Sequence, residues 1–445
     1  MFKRKAYEKL KIWKEKYSKD YSALLIGARR VGKSTIAEEF AKNEYKSYIK
    51  IDFADIKKEL LQVFDDINDL DIFFMRLQAS VNTKLYKKES VIIFDEIQLF
   101  PKVRQAIKYL VKDGRYDYIE TGSLISIKKN VKDIVIPSEE HKINVFPMDY
   151  EEFLWATGSD NYDTIRELYK TNKKVGDKLN NKLMRDLRVY MAVGGMPQAV
   201  SAYVEKKNFD DIDFVKKEIL NLYKDDFRKI DSSGRISMLY NAVPSQLALN
   251  KKRFILSNAV GKRVTSKDKE LLYEIIDSKT VLIKHNVTEV SSTLEQTKDI
   301  DDYKLYLSDT GLFISMLFND KSKAYIDIYS KLLSDKLPVN MGFVYENFVA
   351  QTLTSFGYDL YFHTWAKENS SHSYEIDFLV PHGLKIIPFE VKSSVIHNHN
   401  SIDAFKKKYS NQVIRQYLLS QKDVDRENEL YFKPIYMLPF ILEEL

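Results

Sequence analysis

The chain contains no cysteine in its 445 residues, which excludes disulfides, cysteine-ligated zinc and thiol nucleophiles. No apolar run reaches the roughly 18 residues that a membrane-spanning helix needs. The start, Met1-Phe2-Lys3-Arg4-Lys5, leads into charged helix rather than the apolar core of a signal peptide. A cytoplasmic protein without a membrane partner is therefore expected. Surplus charge is also scarce: 70 Lys and Arg against 64 Asp and Glu leave a net +6. Any surface for nucleic acid must be local, not global. The seven histidines form no metal-ligand pattern.

What is present is material for several cores. The chain is 44% hydrophobic and 30% charged, the balance of a globular protein, and its length suggests about three domains of roughly 150 residues each.

The most informative stretch is Gly27-Ala28-Arg29-Arg30-Val31-Gly32-Lys33-Ser34-Thr35, fed by the apolar run Ala23 to Ile26. Beyond it, Ile36, Ala37 and Phe40 recur at helical spacing. A strand, a glycine-bounded loop and a helix in that order make a phosphate cradle, because the glycines let backbone N–H groups turn inward and the helix adds its positive end. Gly27, Arg30, Gly32, Lys33, Ser34 and Thr35 are the expected nucleotide contacts. Lys33 reaches the outer phosphates of ATP, and the Ser34 hydroxyl ligates Mg²⁺.

Downstream, Ser90 to Phe94 reads as a buried parallel strand that delivers Asp95 and Glu96 at its C-terminal edge. Asp95 belongs in the magnesium shell, and Glu96 polarises the water that attacks the terminal phosphate. A third strand, Tyr116 to Ser123, ends in small polar residues. Thr121 and Ser123 are both candidates to sense the terminal phosphate, against the alternative of a plain Thr-Gly-Ser turn.

From Val145 the pattern turns helical, with Asp149 able to cap a helix whose apolar face carries Phe153, Leu154 and Trp155. Helices run to about Ile230, broken at Val193-Gly194-Gly195-Met196-Pro197. Past Ser232-Ser233-Gly234, three short helical segments precede strands near Thr280 to Val287 and Tyr303 to Ser308. Three helices and a hairpin suggest a winged helix. Lys251, Lys252, Arg253, Lys262, Arg263, Lys267 and Lys269 give it a basic excess suited to DNA phosphates, and packing against protein is the competing use.

A second chemical cluster lies in the last third of the chain. Glu346 sits on the helix that opens at Gly342. Asp377 lies on the strand Tyr374 to Val380, and Phe389-Glu390-Val391-Lys392 follows after a Pro-His-Gly turn. Strand alternation sends Glu390 and Lys392 to one face, within reach of Asp377. One Asp and then Glu-x-Lys is the arrangement of metal-dependent phosphodiesterases of the PD-(D/E)xK type. In it Asp377 and Glu390 bind Mg²⁺ or Mn²⁺, Glu346 completes the shell, and Lys392 orients or deprotonates water. A solvated hairpin with ordinary alternating charges is the other reading.

Taken in order, GARRVGKST (27 to 35), FDEIQ (94 to 98), TGS (121 to 123), FPMDYEEFL (146 to 154), GGMPQAV (194 to 200), LYLSDTGL (305 to 312), GFVYENFVA (342 to 350), EIDF (375 to 378) and PFEVKSS (388 to 394) resemble a bacterial and archaeal family of AAA-type ATPases. That family ends in a domain of unknown function with a nuclease-like fold. The resemblance implies a multidomain α/β protein: a P-loop core with an N-terminal helix over 1–148, a helical lid over 149–231, a winged helix over 232–311, and a restriction-endonuclease-like domain over 312–445. It implies ATP hydrolysis, with DNA the favoured partner and a homo-oligomer compatible. Glu139-Glu140-His141-Lys142 stands where the family has Gly-Arg. Arg104, Arg115 and Arg228 remain as candidates for an arginine finger.

Overall fold

The computed structural model describes residues 1–122, 135–159, 161–249, 251–261, 263–318, 324–336, 341–368, 370–393 and 399–445. They form two compact units, Met1–Phe146 with Asp277–Lys279, and Pro147–Ile276 with Thr280–Leu445.

The first unit is built on five strands: β1 (Ser22–Ile26), β2 (Ser47–Asp52), β3 (Ser90–Asp95), β4 (Asp117–Gly122) and β5 (Glu140–Asn144). All neighbours are parallel, in the order β2-β3-β4-β1-β5. Every residue of β1 and β3 is buried, as expected of apolar runs covered on both faces by crossover helices. One face rests on an aromatic core that includes Phe53, Phe64, Phe73, Phe94 and Tyr118. The N-terminal helix Lys5–Lys16 buries Ala6, Leu10 and Trp13, and the Trp13 indole donates to Tyr21 O at 2.9 Å. Tyr17, just past the end of this helix, is exposed and stacks on His141.

The strand order positions the chemistry. Strand β4 lies between β1, which feeds the glycine loop, and β3, which ends at Asp95. Thr121 pairs with Leu25 of β1, and Glu120 pairs with Phe94 of β3, so Thr121 and Asp95 finish side by side at the carboxyl edge of the sheet. Open parallel sheets bind ligands at that edge.

The second unit begins with helices. Asp149 caps the helix Tyr150–Ala156, as the sequence led us to expect, and Glu152 completes a reciprocal capping box with it. Helices Asn161–Lys170, Asp177–Val193, Pro197–Lys206 and Phe209–Ile230 follow. After Arg235–Ala248, Leu256–Val260 and Ser266–Asp277 come eight strands. These are β6 (Val281–Val287), β7 (Lys298–Leu307), β8 (Leu360–Ala366), β9 (Ser373–His382), β10 (Lys385–Val391), β11 (Gln416–Ser420), β12 (Asp425–Glu427) and β13 (Leu430–Pro434).

They make one mixed sheet in the order β12-β13-β11-β10-β9-β8-β6-β7. The hairpin read as a free wing is thus the edge of this sheet. Lys284, His285 and Asn286 of β6 pair in parallel with Leu360, Tyr361 and Phe362 of β8. Strand β6 is largely buried because it has neighbours on both sides, whereas a wing has one. Lys331 lies in the helix Ala324–Leu333.

The weaker middle motifs meet at one knot. The Gly195 N–H donates to Asp309 Oδ2 at 2.6 Å, and Gly195 O accepts from Met148 N at 2.6 Å. Asp309 Oδ1 caps the helix Thr310–Leu317 by accepting from Leu312 N at 2.8 Å. Tyr190 donates to Met148 O at 2.8 Å and accepts from Gln351 Nε2 at 2.9 Å, while Gln351 Oε1 accepts from Thr310 N at 2.9 Å. A Cβ on Gly195 would run into the Met148 backbone, and Gly194, at φ +86°, lies against Gly311. These glycines serve close backbone approach.

Candidate functional site

The glycine loop closes onto the helix Lys33–Glu44, with Gly32 as its N-cap at φ +96° and Arg30 at φ +70°. A Cβ on Gly27 would strike Val145 O, so only glycine fits there. Arg4 donates to Val31 O at 2.9 Å and to Phe146 O at 2.7 Å, pinning the loop from outside the motif. No acidic residue occupies the first turn of the helix, so nothing on that turn offsets its positive end. Arg30 and Thr35 are exposed there.

Lys33 is 6% exposed, and its ammonium donates to Gly27 O at 3.1 Å and Ala28 O at 2.9 Å. Burial pulls its pKa down to about 8, against the upward pull of Glu96 and Asp95. The Ser34 hydroxyl donates to Asp95 Oδ1 at 2.7 Å, and the Thr121 hydroxyl donates to the same oxygen. Lys50 of β2 lies 3.4 Å from the other oxygen, Asp95 Oδ2, a contact that the motifs did not reveal. Glu96 takes a left-handed backbone at φ +55°, its N–H donates to Thr121 Oγ1 at 3.3 Å, and Gln98 Nε2 donates to its carboxylate. A hydroxyl and a carboxylate that share a hydrogen bond are a hard-oxygen pair suited to Mg²⁺. Ser123 lies outside the described residues.

Two of the arginine candidates are engaged by carboxylates of their own unit. Arg104 is buried and held by both oxygens of Glu140 at 2.7 Å each, so it is committed inside its own unit. Arg115 is tied to Asp113 and Asp71. Arg228 is exposed beside Asp225.

In the second unit, the predicted carboxylates and lysine do converge, together with residues the motifs did not show. Glu390, on β10, is 4% exposed; its Oε1 accepts from Lys392 Nζ at 2.7 Å, and its buried Oε2 has no hydrogen-bond partner. Asp377 Oδ2 accepts from Val391 N at 2.7 Å. Burial, and then the proximity of Glu390 and Glu346, pushes the Asp377 carboxyl well above its ordinary range. Burial also raises Glu390, partly opposed by Lys392. Two hard carboxylates that crowd each other, one with an unpartnered buried oxygen, fit a divalent cation.

Glu346 is different. Its Oε2 accepts from Tyr306 OH at 2.8 Å and lies 3.8 Å from Lys284 Nζ. Burial would raise its pKa, but Lys284, Lys304 and Tyr306 together hold it below the ordinary value. Among the described residues, no three His, Asp or Glu side chains are grouped to hold a metal. Lys284 and Lys304 were missed. The available signal was a lysine inside each of two otherwise apolar runs, Val281-Leu282-Ile283-Lys284 and Lys304-Leu305-Tyr306-Leu307.

Of the basic residues near the three short helices, Lys252 donates to Ser373 Oγ at 3.0 Å and Lys269 pairs with Asp301 at 2.8 Å. Lys262 lies outside the described residues. No helix among the described residues is long and apolar enough to cross a membrane.

Comparison with known proteins fits this division. Residues 19–154 match the family described as AAA domain, and this stretch is an AAA-type P-loop ATPase domain. Residues 184–323 and 341–438 match two domains of unknown function, DUF8612 and DUF4143. No curated protein matches the chain. Solved structures with detectable similarity include Cdc6p from Pyrobaculum aerophilum, at 11% identity and TM-score 0.24, covering 74% of this chain and 93% of that one. A second is the STAND protein PH0952 of Pyrococcus horikoshii, with a tetratricopeptide repeat sensor, at 13% identity and TM-score 0.27, covering 79% and 48%. A third is the Thermotoga maritima RuvB Holliday junction branch migration motor, at 13% identity and TM-score 0.27, covering 63% and 89%. At such TM-scores, these likenesses bear on neither mechanism nor partner.

Proposed function

We propose that the chain is a Mg²⁺-dependent ATPase whose second unit carries a metal-dependent site for a nucleic-acid phosphodiester, DNA before RNA. The observation that carries this reading is the Asp95 carboxylate, held between the Ser34 and Thr121 hydroxyls at the carboxyl edge of a parallel sheet beside Lys33. Lys33 and the N–H groups of the glycine loop bind the phosphates, giving up the contacts of Lys33 to Gly27 and Ala28. Ser34 and Asp95 would hold Mg²⁺, which supplies charge stabilisation at the terminal phosphate. Glu96 takes the proton of the attacking water, and Thr121 fixes the position of Asp95 and of the Glu96 backbone.

The test is ATP binding and turnover by Glu96→Gln beside Lys33→Ala. Glu96→Gln is expected to retain ATP affinity and lose about 10²-fold or more in turnover, the usual contribution of a general base. Lys33→Ala is expected to lose binding. Unchanged turnover in Glu96→Gln would remove Glu96 from this role.

In the second unit, Asp377 and Glu390 would hold Mg²⁺ or Mn²⁺, and Lys392 would orient the nucleophilic water. One observation favours a second reading, in which this unit is an ATP-controlled binding module that does not cut: Glu346 is already engaged by Lys284 and Tyr306. Metal-dependent cleavage separates the two.

A further inference from the structure

Lys284 is fully buried, at 0% exposure, and stands on β6 directly opposite Lys304 on β7. Like charges facing each other across an antiparallel pair repel, and a buried ammonium without a partner is strongly unfavourable. Two carboxylates and a backbone carbonyl resolve this conflict. Lys304 grips Glu375, while Lys284 lies 3.8 Å from Glu346 and donates to Asp377 O at 2.9 Å. Aromatic rings close the remaining sides of the Lys284 ammonium, which is 4.1 Å from the centroid of Phe378 and 5.0 Å from that of Tyr306. A fully buried ammonium has no water to turn to, so the charge on Glu346 Oε2 balances it. Glu390 differs: Lys392 holds its Oε1 alone, and its Oε2 is buried and unpartnered.

We propose that Lys284 is a resident cation that holds Glu346 out of metal coordination, leaving Asp377 and Glu390 as the only carboxylates offered to one divalent ion. This rests on the metal reading of the Asp377–Glu390 site given above. Lys284 acts through its neighbours: it neutralises Glu346 and fixes the Asp377 backbone, which makes it a positioning residue. Glu346, assigned above by spacing to the metal shell, is then an ion-pair partner.

The experiment is Mn²⁺ titration of the full-length, nucleotide-free protein, read by the electron paramagnetic resonance of free Mn²⁺. Binding at this site is defined as the part that the double variant Asp377→Asn, Glu390→Gln lacks. Glu346→Gln, which can still accept from Tyr306, is expected to leave the Mn²⁺ dissociation constant within about twofold. Lys284→Met frees a third carboxylate and is expected to tighten Mn²⁺ by about tenfold or more, the scale on which groups around a site tune metal affinity. The combined Lys284→Met, Glu346→Gln variant is expected to return to the wild-type value. A tenfold loss in Glu346→Gln would make Glu346 a ligand and overturn the proposal, as would unchanged or weaker binding in Lys284→Met. If Lys284→Met alone does not fold, Glu346→Gln and the charge-balanced double variant still decide. Equal Mn²⁺ binding by wild type and the Asp377, Glu390 double variant would remove the metal reading itself, and the proposal with it.

Discussion

Lys216 shows how much a single buried charge commits. It is fully buried on the helix Phe209–Ile230 and donates to Ala192 O at 2.7 Å and to Tyr329 OH at 2.8 Å. Ala192 O belongs to the last turn of the helix Asp177–Val193, where carbonyls lack intrahelical partners. Asp213, paired with Lys217, and Asp309 also face this ammonium. Burial nevertheless outweighs these acids and lowers its pKa from 10.5 to about 8. The destabilisation is full below pH 8, where both folded and unfolded chains hold the proton. Between pH 8 and 10.5 the unfolded chain binds more protons, so this group makes stability rise with pH, by about 3 kcal/mol over that interval. Denaturant unfolding at several pH values, comparing wild type with Lys216→Met, should show that rise in the difference between them. A flat difference would contradict the assignment. At this scale, legibility followed contiguity. Lys33, Ser34 and the Asp95-Glu96 pair were readable because each motif is one short stretch. Lys284 was not, because Glu346 and Asp377, which make its burial tolerable, are far away in the chain.

Among the elements, the local signals that act within one turn or one strand were readable: the cap at Asp149, the helix breaks at Gly194-Gly195, and the alternation that puts Glu390 and Lys392 on one face. The partner of β6 was not. Its hairpin with β7 is local, but its pairing with β8 depends on a register set after three intervening helices, and no short window encodes that. Two of the small middle motifs have a packing cause, since GGMPQAV and LYLSDTGL meet through Gly195 and Asp309. Gly195→Ala is therefore expected to destabilise the second unit by about 2 kcal/mol or more, because the new methyl meets the Met148 backbone and not a movable side chain. Thermal and denaturant unfolding would check this. Stability within about 0.5 kcal/mol of wild type, the range of ordinary surface changes, would contradict the close-packing account.

At the scale of the whole molecule, the proposed function gives each compact unit one chemistry: phosphate chemistry on ATP in the first, and metal-dependent phosphodiester chemistry in the second. A parallel-sheet core was expected and is present; its fifth strand, Glu140–Asn144, was not read from the motifs. The assignment of functions to the sheet in the second unit rests on Asp377, Glu390 and Lys392. The most direct measurement is cleavage of single- and double-stranded DNA and RNA by the purified full-length protein, with Mg²⁺ or Mn²⁺, with and without ATP, beside Asp377→Ala and Lys392→Ala. The account predicts metal-dependent cleavage, of DNA before RNA, that both variants lose while they keep ATP turnover. Absence of cleavage in every condition with ATP turnover intact would contradict it and leave the second unit as a binding module.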